Sequence, residues 1–244
     1  MNHEDHNPVP VDELLDRRVA FSLRRHEPVG VVTCITPYNA ASMMAFRKVI
    51  PALMAGTSVF ELGGKSAHIY LPDAMHRAGI GAAMVVAMTV GQACVLGTRM
   101  LVPNHKKDEA LETATSVYSH LKVGPPMREG TRVGPLISAT ARERCEHYVA
   151  LTAKHGREIV TGGGRPEGLD KAYYFEPTIL DLPDSSSPAA QDETFGPMLG
   201  VIGYRDIDPA VQMAKDSSYG PSGQAYGNST AEAPPSSGGR APVP

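Results

Sequence analysis

Val29-Gly-Val-Val-Thr-Cys-Ile-Thr36 is β-branched and mostly apolar, without the alternation of a half-exposed strand. That pattern predicts a strand buried on both faces of a parallel sheet. Pro37 ends it. The next segment, Ala40 to Ala55, carries Met43, Met44, Phe46, Val49, Ile50 and Leu53 at roughly helical spacing and closes at Gly56, a helix stop. Thr57 to Phe60 then predicts a second strand. Strand, loop, helix and strand in that order define the start of an α/β unit, so the expected fold class is α/β.

The unit is cut short. Glu61-Leu-Gly-Gly-Lys65 follows at once and replaces strand character with a glycine turn, whereas a complete nucleotide-binding domain needs more strands. Ala74 to Val90 is rich in alanine and methionine and predicts a helix buried on most sides, leading into Gly91-Gln-Ala-Cys94. Thr98 to Val102 predicts a strand. Between His105 and Lys122, Ala110, Leu111, Ala114, Val117, Tyr118 and Leu121 share one face of an amphipathic helix. A further helix runs from an N-cap at Ser138 through Ala141, Cys145, Tyr148, Val149 and Thr152, which makes Cys145 a core residue. Gly162-Gly-Gly164 lacks the strand-to-helix context of a phosphate loop and reads as a turn. Tyr173 to Leu182 predicts a strand and Ile207 to Lys215 a short helix. After Gly223 the composition passes into Ser, Gly, Pro and Ala, which predicts a disordered tail.

Composition narrows the function classes. The 244 residues carry 23 basic against 26 acidic side chains, so no basic field is available for nucleic acid. No run of eighteen apolar residues is long enough for a membrane span, and Met1 to Asp16 lacks the basic-then-apolar order of a signal peptide. A cytoplasmic protein is expected. His3, Glu4, Asp5 and His6 offer metal-binding side chains, but a solvated, frayed terminus is the simpler expectation, and no metal site is assigned. Cys34, Cys94 and Cys145 are too few and too widely spaced for a disulfide framework or a zinc site, so reduced thiols are expected.

Two residues stand out chemically. Cys94 lies where a buried helix gives way to a loop, with small residues on both sides that let a substrate approach. The thiol reads either as a nucleophile or as a small buried hydrophobe, and no histidine lies close in sequence to deprotonate it. Glu61, before a double glycine, reads either as a general base or as a surface charge.

Taken together the segments are more specific. Glu27-Pro-Val-Gly-Val-Val32, Ile35-Thr-Pro-Tyr-Asn39, Pro51-Ala-Leu-Met-Ala-Gly56, Glu61-Leu-Gly-Gly-Lys-Ser66, Gly91-Gln-Ala-Cys94, Val133-Gly-Pro-Leu-Ile137, Phe175-Glu-Pro-Thr178 and Glu193-Thr-Phe-Gly-Pro197 occur in that order. From about Arg25 to Gly223 the chain resembles the NAD(P)-dependent aldehyde dehydrogenases. The resemblance implies oxidation of a small-molecule aldehyde to a carboxylic acid, with NAD or NADP as cofactor. By that resemblance Cys94 attacks the carbonyl, and Asn39 with backbone N–H groups holds the oxyanion of the thiohemiacetal. Hydride passes to the nicotinamide, and Glu61 activates the water that hydrolyses the thioester. Glu193 and Phe195, with Gly63 of the glycine turn, match positions at the nicotinamide ribose and ring. Retention of Glu61 favours hydrolytic over CoA-acylating members.

The resemblance also implies what this chain lacks. Several tens of family residues are missing between Phe60 and Glu61, among them the Lys-Pro-Ser-Glu motif at the adenosine ribose and most strands of a Rossmann-like sheet. The expected organisation is a polar arm over 1–27, a remnant of the cofactor-binding domain over 28–62, a C-terminally incomplete α/β catalytic domain over 63–223 and a disordered tail over 224–244. The family forms homo-oligomers through a strand that is absent here. A cofactor-free cysteine esterase and an inactive fragment are the alternative functions.

Overall fold

The computed structural model describes residues 63–87, 89–154, 156, 158–219 and 222–228, with the short segments 6–8, 21–23, 46–47 and 50. The strand over 29–36, the strand over 57–60 and most of the helix over 40–55 lie outside the described residues; Phe46, Arg47 and Ile50 are helical. The chain forms two compact units, Met1–Glu61 and Leu62–Pro244. In the first, β1 (His6–Pro8) pairs antiparallel with β2 (Phe21–Leu23), matching His6 with Leu23 and Pro8 with Phe21. This corrects the expectation of an arm frayed throughout, because these residues satisfy backbone groups in a ladder.

The second unit is built on a six-stranded sheet. Along the chain come β3 (Ala67–Tyr70), a 3-10 helix (Pro72–Arg77), α1 (Ala78–Ala87) and β4 (Arg99–Pro103). Then follow α2 (Lys107–Ser119), α3 (Ala139–Lys154), β5 (Glu158–Thr161) and β6 (Thr178–Leu182). The last elements are α4 (Pro188–Gln191), β7 (Met198–Tyr204), α5 (Ile207–Lys215) and β8 (Gly223–Tyr226). The strand order is β5-β6-β7-β4-β3-β8, and every pair is parallel except β5 with β6.

A parallel sheet buried on both faces explains the continuous apolar strands. All seven residues of β7 are buried, and alternate side chains enter opposite cores. Met198, Ile202 and Tyr204 pack with Leu101, Leu180, Leu182, Cys145 and Ala210, under α3, α4 and α5. Leu199 and Val201 pack with Met100, Val102 and Ile179 against Ala78, Ala82, Val85 and Val86 of α1 and Ala110, Ala114 and Tyr118 of α2. The architecture is a three-layer α/β sandwich.

Local expectations agree closely with the structure where the signal is local. Ser138 Oγ accepts the Ala141 N–H at 3.1 Å as the N-cap of α3, Cys145 is fully buried, and α5 spans Ile207–Lys215. Three expectations change. The helix expected over 74–90 opens as 3-10 turns and its α-helical part ends at Ala87, since Thr89 and Val90 adopt left-handed backbone conformations, and Ile80 and Met84 face outward. The strand expected over 173–182 starts only at Thr178. Upstream of it the Tyr173 carbonyl accepts from Leu136 N–H and the Glu176 N–H donates to Gly164, so loops use these groups, and Pro177 has no N–H to offer a ladder. The tail expected to be disordered from 224 instead supplies β8, which pairs with β3 from Ala67–Gly223 to Tyr70–Tyr226. Tyr226 stacks on Tyr70 at 4.6 Å, and Asp73 Oδ2 accepts the Asn228 N–H at 2.8 Å. Residues 229–244 lie outside the described residues.

Candidate active site

The site collects at the N-terminal ends of the central parallel strands. Three loops meet there: 63–66 before β3, 91–98 before β4 and 192–197 before β7. Gly91 makes the meeting of the last two possible. Its φ is +75°, and a Cβ on it would collide with the Gly196 carbonyl and stand 2.7 Å from Pro197 N. The Cys94 loop and the Glu193–Pro197 loop therefore touch backbone to backbone. The approach is led by Thr89 and Val90, both at positive φ; for a β-branched residue such as Val90 this is a strained conformation, costing on the order of 1–3 kcal/mol. Phe195, at φ +51°, is a further non-glycine residue at positive φ in the same place.

Cys94 sits half-buried in a turn at the end of this approach. Gln92 secures the turn: its Nε2 donates to the Thr89 carbonyl at 3.0 Å and its Oε1 accepts from Ile137 N–H at 3.0 Å. The Leu96 N–H closes back on the Ala93 carbonyl. Cys145, by contrast, is fully buried beneath Gly196, and burial pushes its thiol up to about 12. Of the two described cysteines only Cys94 reaches the surface.

The glycine turn presents its backbone to Glu193. Oε1 of Glu193 accepts the Gly64 N–H at 2.7 Å, a charge-assisted bond, and Oε2 stands 2.6 Å from where a Cβ on Gly63 would be. The ring of Tyr219 lies 3.0 Å from the same point. Gly63 thus lets a carboxylate and an aromatic ring pack directly on the backbone of the turn. Beneath it Lys65 is 3% exposed, and its amine is lowered to about 7 by burial and then by Arg99, against the pull of Asp192 and Glu193. Arg99, 1% exposed, donates from Nε to the Lys65 carbonyl at 2.9 Å. Its other nitrogens donate to the carbonyls of Met213 and Ala214, each at 2.8 Å, at the end of α5.

Of the residues singled out in sequence, Gly63, Cys94, Glu193 and Phe195 belong to this one constellation, and Asn39 and Glu61 lie outside the described residues. Sequence reasoning missed Arg99, Tyr219 and His68. The signal for Arg99 was a charge inside a strand bounded by apolar residues. His68, on β3, is buried with its ring against Gly97 of the Cys94 loop and edge-on to Tyr226, and burial lowers its pKa to about 4. Among the described residues no group of three His, Cys, Asp or Glu is placed to hold a metal, and no helix is long and apolar enough to cross a membrane.

A parallel α/β sheet with a cysteine turn and a glutamate-pinned glycine turn at one end defines the class, and the comparisons agree with it. The model of the aldehyde dehydrogenase family matches residues 5–60 and 57–235, in two pieces that meet where the missing stretch was expected. The chain belongs to the aldehyde dehydrogenase family. A Staphylococcus saprophyticus protein that carries a provisional aldehyde dehydrogenase name is 44% identical over 222 residues, covering 85% of this chain and 46% of the relative. The chain spans about half the length of the curated relatives it matches. Among solved structures, the Mycobacterium tuberculosis aldehyde dehydrogenase complexed with NAD+ superposes with a TM-score of 0.68 at 37% identity, over 78% of this chain and 38% of that one. A mutant of aldehyde dehydrogenase C from Pseudomonas syringae, with NAD+ and octanal, gives 0.68 at 33% identity, over 78% and 39%.

Proposed function

We propose that this chain carries out the thiol chemistry of aldehyde oxidation, with Cys94 as the nucleophile and NAD or NADP as the hydride acceptor. The observation that supports this reading is the backbone contact of Gly91 with Gly196, which joins the loop of a partly exposed cysteine to the loop that carries Glu193. The Cys94 thiolate bonds to the carbonyl carbon, and the π electron pair moves onto oxygen. Asn39 holds that oxyanion by family resemblance, together with backbone N–H groups. A nicotinamide held by Glu193 and Phe195 would supply the hydride acceptor that the thiohemiacetal carbon requires. Glu61 takes a proton from the water that attacks the resulting thioester, and the C–S bond breaks to release the acid and restore the Cys94 thiolate.

The residues fit the nicotinamide end of the cofactor. Gly63 lets the Glu193 carboxylate pack directly on the turn, and by family resemblance that carboxylate is the hydroxyl acceptor, with Phe195 on the same loop. Structural relatives complexed with NAD+ support NAD(P) as the cofactor at the level of the family.

A second reading is favoured by one specific observation: the sequence passes from Phe60 directly to Glu61 without the family's adenosine-binding motif. Nucleophile and oxyanion donors suffice for acyl transfer, so Cys94 then hydrolyses activated esters without a redox step. Two measurements on the purified chain separate the readings. Alkylation of Cys94 is followed with and without NAD, and p-nitrophenyl acetate hydrolysis is compared between the native chain and Cys94→Ala. A NAD-dependent labelling rate supports the dehydrogenase. An unchanged rate with Cys94-dependent ester hydrolysis supports the esterase, and the absence of both would rule out either chemistry.

A further inference from the structure

The Gly63–Lys65 turn is held from two sides. Above, the Glu193 carboxylate binds the Gly64 N–H at 2.7 Å. Below, Arg99 binds the Lys65 carbonyl at 2.9 Å. The guanidinium does more than close one bond, since its two remaining nitrogens take the carbonyls of Met213 and Ala214 at 2.8 Å and reach that of Asp216 at 3.5 Å. Met213 and Ala214 lie in the last turn of α5, whose carbonyls lack partners within the helix and where a cation also complements the helix dipole, while the Asp216 carbonyl also accepts from Gln191 Nε2 at 2.9 Å. The chain leaving α5 turns through Ser217, whose Oγ accepts the Tyr219 N–H at 3.2 Å, and sets the Tyr219 ring beside Gly63. One buried fork therefore fixes both the turn and the residue that packs on it. A lysine there supplies one point charge and no planar fork.

We propose that Arg99 is a positioning residue for the nicotinamide-facing turn: by bridging the Lys65 carbonyl to the end of α5, it sets the orientation in which Gly64 meets Glu193. This rests on the cofactor reading above. Arg99 touches no reacting atom and acts through the Gly64–Glu193 pair.

The test is amide exchange of Gly64, read by NMR on the full ¹⁵N-labelled chain and compared with the amides of Leu101 and Ile202 in the central strands. In Arg99→Lys, Gly64 exchange is expected to speed up by about tenfold more than that of Leu101 or Ile202, the scale of one hydrogen bond to a charged group. Glu193→Gln is expected to speed Gly64 alone, and the double variant to exchange no faster at Gly64 than Arg99→Lys does. A merely structural arginine would shift all three amides together, and that result, or an unchanged Gly64, overturns the proposal. Arg99→Gln keeps one donor for the Lys65 carbonyl and serves as the second variant. If neither variant unfolds cooperatively, Arg99 is a stability residue and the proposal falls. Added NAD is expected to slow Gly64 exchange in the native chain. No slowing would defeat the cofactor reading, while the variant comparison still decides the role of Arg99.

Discussion

Gly91→Ala probes the contact on which the site depends. Two costs add. An alanine at φ +75° occupies the left-handed region at about 1–2 kcal/mol. Its Cβ is also driven against the Gly196 carbonyl and Pro197 N, backbone atoms that cannot rotate aside, and overpacking of this kind costs about 1–3 kcal/mol. The expected loss is thus roughly 2–5 kcal/mol, or roughly 4–20 °C in Tm for a unit of this size. Gly130→Ala is the matched control: φ is +80°, but the nearest atom to a Cβ is Lys122 Cδ at 3.9 Å, so only the backbone cost applies. Urea unfolding of the two variants isolates the difference, expected to be about 1–3 kcal/mol. Cys94 alkylation should change in Gly91→Ala and stay at the native rate in Gly130→Ala. Equal losses of stability, with Cys94 labelling unchanged in both, would refute the argument that this contact sets the cysteine loop.

Other outcomes follow from burial and charge. Alkylation at pH 7 is expected to label Cys94 and leave Cys145 untouched until the chain unfolds, as mass mapping of labelled peptides would reveal. His68 has a folded pKa of about 4 against 6.5 unfolded, so between these values the unfolded chain binds a proton that the folded chain excludes. Stability should fall as pH drops from 6.5 toward 4, by up to about 3 kcal/mol, and His68→Gln should flatten that limb in denaturant titrations. Lys65 is lowered from 10.5 to about 7, so above pH 7 the unfolded chain again holds the extra proton and stability rises with pH. The rise should be visible between pH 7 and 9, before deprotonation of the unfolded Cys145 offsets it, and should be absent in Lys65→Met. Ser138→Ala removes the N-cap of α3 and should cost about 1 kcal/mol by thermal unfolding.

What was legible in the sequence was local. The cap at Ser138 and the span Ile207–Lys215 depend on side chains within one or two turns, and both appear as expected. The burial of Cys145 followed from its place on an apolar helix face. The end of α1 at Ala87 was not legible, because the left-handed residues Thr89 and Val90 are tolerated only where Gly91 seats against a loop about a hundred residues later. Nor was β8, whose polar composition suggests disorder until β3 supplies its partner and Tyr70 its stacking surface. Within the site, the Glu193 and Cys94 motifs stood out by residue type. Arg99 offered only its charge inside a strand, and its role was not legible, because its partners are carbonyls, and carbonyls leave no trace in residue identity.

The strand order carries a kinetic consequence. β3 is formed early in the chain, yet one of its two neighbours, β8, comes from residues 223–226, and the Tyr204 hydroxyl reaches the Tyr70 carbonyl across 134 residues. During synthesis β3 therefore waits with one edge unpaired until β8 emerges. Pairings of such long sequence separation slow folding and prolong the exposure of open strand edges. The arrival of residues 223–226 is thus expected to set when β3 gains its second neighbour.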